Sequence, residues 1–130
     1  MGNATLVFDH VHLISEDPHT TASWYADKLG GTIARSGDVR GAPQIYVNFN
    51  GATIIVRGQR PGEQAHSKDR LQWGTDHFSF QVLEDFDGFC QGLQQKGVKF
   101  TLEPMNFTPT TRIAFIEAPD GVSIELVHRQ

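Results

Sequence analysis

The chain has 130 residues, 38% apolar and 20% charged, with a formal net charge of −4. A chain of this length buries roughly two thirds of its unfolded surface, enough for a core without staples, and the composition is ordinary for a globular protein. The negative balance excludes a basic field for nucleic acid or anionic lipid, no apolar run approaches the ~20 residues of a membrane span, and a single cysteine leaves no internal disulfide.

The opening residues lack the charged and apolar regions of a signal peptide, so a cytoplasmic protein is expected. The first strand is expected over residues 6–14, with Phe8-Asp9-His10-Val11-His12-Leu13 at its heart. Side chains two apart in a strand share a face, so His10 and His12 point one way and Asp9, Val11 and Leu13 the other. Asp17 then serves as a helix N-cap with Pro18 at the first helical position. The helix runs to about Lys28 with Ala22, Trp24, Tyr25 and Leu29 as its buried stripe, and Gly30-Gly31 closes it. His19, in its first turn, is expected to be exposed.

A short strand over 32–36, a loop over 37–43 and a strand over 45–49 follow. In the last of these, alternation places Ile45, Val47 and Phe49 on one face and Tyr46 with Asn48 on the other. Asn50-Gly51 signals a two-residue hairpin, and 52–57 is the returning strand. Residues 59–74 are rich in Gly, Pro and charge, a connection longer than most and therefore a lid or a linker. His66 within it is read as a surface residue, and Trp73 as a cap on a pocket or a core contact.

The second half repeats the plan: a strand over 76–82, a helix over 85–96 with Phe86, Phe89, Cys90 and Leu93 buried, a strand over 98–102, and a loop over 103–110. Strands over 112–117 and 122–127 form the last hairpin, with His128 beyond it facing solvent. Cys90 falls in the apolar pattern and is read as a small buried hydrophobe rather than a nucleophile.

An internal repeat underlies this plan. Placing Asp9-His10 on Asp76-His77 brings Asp17 onto Glu84 and Gly30 onto Gly97. After a small shift absorbed in 104–111, residues 50–56 fall on 120–126, so that Ile55 matches Glu125. The chain is therefore expected to be one domain of two modules, about 5–58 and 75–130, joined by 59–74. Related by a pseudo-twofold, the modules would gather His10, His77, Glu125 and Ile55 about one axis.

The residues Asp9-His10-Val11, Asp17, Trp24-Tyr25, Leu29-Gly30, Asp76-His77 and Ala118-Pro119-Asp120-Gly121-Val122-Ser123-Ile124-Glu125-Leu126 resemble the vicinal oxygen chelate superfamily. It includes glyoxalase I, bleomycin-resistance proteins, fosfomycin thiol transferases, methylmalonyl-CoA epimerase and extradiol dioxygenases. The likeness spans nearly the whole chain. It implies an α+β fold in which two βαβββ modules form a cupped, eight-stranded mixed sheet. It also places His10, His77 and Glu125 on metal-ligand positions. The fourth, filled by Glu or Gln in glyoxalase I and the epimerase, falls on Ile55, which has no donor atom. The resemblance thus implies two histidines and one carboxylate around one divalent ion, with Fe(II) or Mn(II) favoured and Ni, Zn or Co also compatible.

Such a site fits an extradiol-dioxygenase-like enzyme acting on a small molecule that chelates the metal through two oxygens. The alternatives are a glyoxalase-like lyase or isomerase, a thiol transferase, and a drug-binding protein without turnover. His12 lines the same face as His10 and is a candidate acid/base, hydrogen-bond donor or alternative ligand. Tyr46 is a candidate to orient or protonate substrate, while Asn48, Arg57 and Arg112 are candidate substrate contacts. A homodimer is expected, with sites shared between subunits, and neither nucleic acid nor membrane as a partner.

Overall fold

The computed structural model describes residues 5–67 and 71–130. The chain divides into two compact units, Met1–Ala65 and His66–Gln130. Among the described residues there are eight strands and two α-helices. Each unit holds one four-stranded mixed sheet and one helix.

In the first unit β1 (His10–Ile14) leads to α1 (Pro18–Leu29), β2 (Thr32–Val39), β3 (Ala42–Phe49) and β4 (Ala52–Arg57), in sheet order β1-β4-β3-β2. β1 and β4 run parallel and the other pairs antiparallel. The second unit repeats this with β5 (Phe78–Gln81), α2 (Phe86–Gln95), β6 (Lys99–Thr108), β7 (Thr111–Glu117) and β8 (Ser123–Arg129), in order β5-β8-β7-β6. The registers of the two parallel pairs follow the internal repeat, whereas the β3–β4 and β7–β8 hairpins differ by one residue. His12 stands opposite Ile55, and Ser79 opposite Glu125, in the two parallel pairs.

Local chemistry sets the helix ends. The Asp17 carboxylate accepts from the Thr20 amide at 3.2 Å and the Thr20 hydroxyl at 2.8 Å, Pro18 needs no amide partner, and Gly30 (φ 84°) takes the left-handed stop. At α2 the Asp85 carboxylate accepts from the Gly88 amide at 3.2 Å. A Cβ on Gly88 would stand 2.2 Å from Asp85 Oδ2, so a side chain there would push the capping carboxylate aside. Each helix packs its apolar side on its own sheet. Tyr25, Ile45, Val47 and Val56 are fully buried in the first unit, as are Cys90, Leu93, Ile116 and Ile124 in the second. Burying each large side chain contributes about 1.5–3 kcal/mol.

Four boundaries differ from the sequence reading. The stretch 37–43 is not a loop, because Arg40 (φ 54°) and Gly41 (φ 88°) make a two-residue turn and Val39 pairs with Ala42. Positive φ at both turn residues matches the twist of the flanking strands. The stretch 103–110 is mostly strand, since β6 continues past Pro104 through register shifts. β6 is an edge strand, where a missing amide hydrogen and a bulge are tolerated. The first strand starts at His10, which pairs with Thr53 next to the start of β4, so Leu6, Val7 and Phe8 run past the sheet and lie exposed. β5 likewise starts at Phe78, leaving Asp76 and His77 just ahead of it.

Trp73 is fully exposed and packs on no core among the described residues. Phe89 is 36% exposed, outside the buried stripe of α2. His128 does not face solvent freely: it is half-buried, with Nδ1 2.8 Å from the Val82 carbonyl.

Candidate functional site

In the first unit the pleat and register arrange the polar residues in rows across one sheet face. His12, Ile55, Tyr46 and Arg35 follow one another over β1, β4, β3 and β2, and His10, Thr53, Asn48 and Thr32 form the next row. The rings of His10 and His12 lie 5.8 Å apart at 67°. Asp9 Oδ2 is 2.7 Å from His10 Nδ1. An ionised carboxylate can only accept, so Nδ1 carries the proton and the Nε2 lone pair is left for a ligand role.

A cleft of about 370 Å³ opens between Asp9, Arg35, Tyr46, Asn48, Thr53 and Ile55. Ile55 is buried at 6% exposure. The Gln44 amide donates to the Tyr46 hydroxyl at 2.9 Å, and the Arg35 guanidinium lies over the Tyr46 ring at 4.2 Å. The Thr53 hydroxyl donates to Asn48 Oδ1 at 3.2 Å. Partial withdrawal from solvent, then the charges of His10, Arg57 and Arg60, hold the His12 pKa below its usual range. Its imidazole is therefore neutral, and a base, at pH 7.

The second unit carries the same device. Asp76 Oδ2 is 2.7 Å from His77 Nδ1, and on the opposite side of the ring Nε2 is 3.5 Å from Glu125 Oε1. Phe115, opposite Glu125 in the sheet, meets the His77 ring edge to face at 4.8 Å. Two donors each about 2.1 Å from one ion stand about 3.0 Å apart at a right angle and about 3.4 Å apart at the tetrahedral angle. The His77 and Glu125 atoms therefore fit two positions of one coordination sphere. Within either unit, no three His, Cys, Asp or Glu side chains among the described residues gather to hold an ion.

Residues 7–126 match the Glyoxalase/Bleomycin resistance protein/Dioxygenase superfamily. The chain belongs to this superfamily. It is 30% identical over 119 residues to a "Probable lactoylglutathione lyase" of Synechocystis sp., covering 74% of this chain and 91% of the relative. Among solved structures it resembles a glyoxylase/bleomycin resistance protein/dioxygenase domain from Frankia sp. EAN1pec, with a TM-score of 0.79, 22% identity, and 100% and 93% of the two chains covered. It also resembles an antibiotic binding protein from Streptomyces sp. CB03234, with a TM-score of 0.72, 19% identity, and 98% and 100% covered.

For this superfamily member the cationic residues sort clearly. Arg57 donates to Glu63 Oε1 at 2.6 Å and to the Gly58 carbonyl at 3.0 Å. Arg112 donates to Asp87 Oδ1 at 2.7 Å and to Asn106 Oδ1 at 2.8 Å. Both guanidiniums are thus engaged with protein carboxylates. Arg35, absent from the sequence reading, has no carboxylate partner among the described residues and lines the cleft. Strict alternation would put it on the face of Ile33, which pairs with Val47. A register shift between Ile33 and Arg35 turns it to the face of Tyr46 instead. No helix among the described residues is long and apolar enough to cross a membrane.

Proposed function

We propose that this protein is a divalent-metal-dependent enzyme in which His10, His77 and Glu125 donate to one ion, and that it carries out an extradiol-dioxygenase-like oxidation of a small molecule bound through two oxygens. The observation that carries the reading is the convergence of His77 Nε2 and Glu125 Oε1 at 3.5 Å with Asp76 fixing the far side of the ring. His10 has a carboxylate of its own behind it, that of Asp9. Ile55, at the repeat position of Glu125, contributes no donor, so three protein ligands leave room for substrate and for dioxygen. A bound Fe(II) or Mn(II) supplies Lewis acidity and redox chemistry towards dioxygen.

The chain's own residues then have defined tasks. Asp9 and Asp76 keep the Nδ1 protons in place, so both histidines offer Nε2. His12, neutral at pH 7, accepts a proton from a substrate hydroxyl. Tyr46 receives a hydrogen bond from Gln44, leaving its own proton for a substrate oxygen. Metal analysis of anaerobically purified protein, followed by oxygen uptake with a catechol panel, tests the reading. Oxygen uptake that disappears in Glu125→Ala is the expected result; no uptake with any metal or diol rejects it.

A second reading is a metal-dependent lyase, favoured by the relative named as a lactoylglutathione lyase. Formation of lactoylglutathione from methylglyoxal and glutathione, without oxygen uptake, would select it. The absent fourth donor at Ile55 weighs against it.

A further inference from the structure

We propose that Arg35 and Tyr46 form a carboxylate-binding subsite in the first unit. The substrate of the proposed enzyme is then an aromatic acid whose carboxylate lies at the Arg35 end of the cleft. The second statement rests on the metal-dependent reading above; the first does not.

Arg35 is the cation lining this cleft, and Asp9 is the acidic side chain lining it. Asp9 is occupied by the His10 ring at 2.7 Å, whereas Arg35 has no carboxylate partner among the described residues. An arginine stacked on an aromatic ring is held flat, with its N–H edges free to meet a planar anion. The Tyr46 ring provides that stack at 4.2 Å. Because the Tyr46 oxygen accepts from Gln44 Nε2, its hydrogen is available as a further donor to the same anion.

The spacing also fits. The backbone of β3, which carries Tyr46, lies two strands and so about 10 Å from that of β1, which carries His10 and His12. A dihydroxybenzoate spans such a gap with its hydroxyls towards the histidines and its carboxylate towards Arg35. Ile55 and the hydrocarbon of Thr53 lie between, under the ring.

The test separates the two statements. Metal-free protein is titrated with benzoate and, as its neutral counterpart, benzyl alcohol, by amide and arginine-side-chain NMR. Benzoate is expected to bind with shifts centred on Arg35 and Tyr46, and Arg35→Ala is expected to weaken it by about tenfold or more while leaving benzyl alcohol unchanged. Arg35 is exposed on an edge strand, so the variant keeps its fold, and Arg35→Gln repeats the test with a longer side chain. Absence of benzoate binding, or binding indifferent to both substitutions, overturns the subsite. With Fe(II)-loaded protein, Arg35→Ala should raise KM for 3,4-dihydroxybenzoate and not for catechol. Equal effects on both diols overturn the assignment of substrate class. If benzoate binds through Arg35 but neither diol consumes oxygen, the subsite stands and the dioxygenase reading falls.

Discussion

His77 Nε2 and Glu125 Oε1 face each other across 3.5 Å, and the other nitrogen of the same ring is held by Asp76 at 2.7 Å. A ligand ring fixed from behind loses less freedom on binding and is more basic at its free nitrogen. Asp76→Ala is therefore expected to lower metal affinity by about 10- to 100-fold. Glu125→Ala, which removes a donor outright, should cost more. Competition against a chelator of known affinity measures both, and an Asp76→Ala affinity equal to that of the unaltered protein would remove this carboxylate from the site.

Ile55 occupies in the first unit the place that Glu125 occupies in the second, each opposite the strand that bears or follows a histidine. Ile55→Glu is expected to add a fourth donor, tightening metal binding and shifting preference among divalent ions. The same change should depress oxygen uptake by filling a position that substrate or dioxygen needs. Unchanged affinity and preference would place Ile55 away from the ion.

Much of this arrangement was legible because the repeat is in the residues themselves. The match of Asp9-His10 to Asp76-His77 and of Ile55 to Glu125 is repeated in the parallel registers, where His12 lies opposite Ile55 and Ser79 opposite Glu125. Caps at Asp17 and Gly30 were equally plain, since each answers one local hydrogen-bonding need. The misses share a cause, which is that bulges and edge positions break the period of two. The shift before Arg35 hid a cleft residue, and those along β6 disguised a strand as a loop. The ion pairs of Arg57 with Glu63 and of Arg112 with Asp87 join residues whose local pattern announces neither partner.

Cys90 is 1% exposed, and burial pushes its thiol pKa up to about 11. The folded thiol at pH 8 is then only about one part in a thousand thiolate, and the thiolate is the reactive form. Ellman's reagent should leave native protein untouched over a time in which denatured protein reacts fully. Rapid native labelling would show that α2 opens readily or that the thiol has a catalytic part.

The proposed three-ligand site draws on both units, His10 from one and His77 with Glu125 from the other. Each sheet ends in the strand beside its histidine, β1 in one unit and β5 in the other, and an edge strand presents unpaired N–H and C=O groups that call for a partner. The apolar Leu6, Val7 and Phe8 next to β1 are 86%, 90% and 78% exposed in the single chain. Connection 59–74 is long enough for the halves to pair within one chain or across two. We expect a homodimer with two equivalent sites, each taking His10 from one subunit and His77 with Glu125 from the other. Chains carrying His10→Ala and Glu125→Ala are mixed under conditions in which subunit exchange is followed by mass spectrometry of the intact dimer. With shared sites, the mixed dimer keeps one site with all three donors and regains tight binding of one ion per dimer. Exchange without recovery of binding would mean that each chain supplies all three ligands itself.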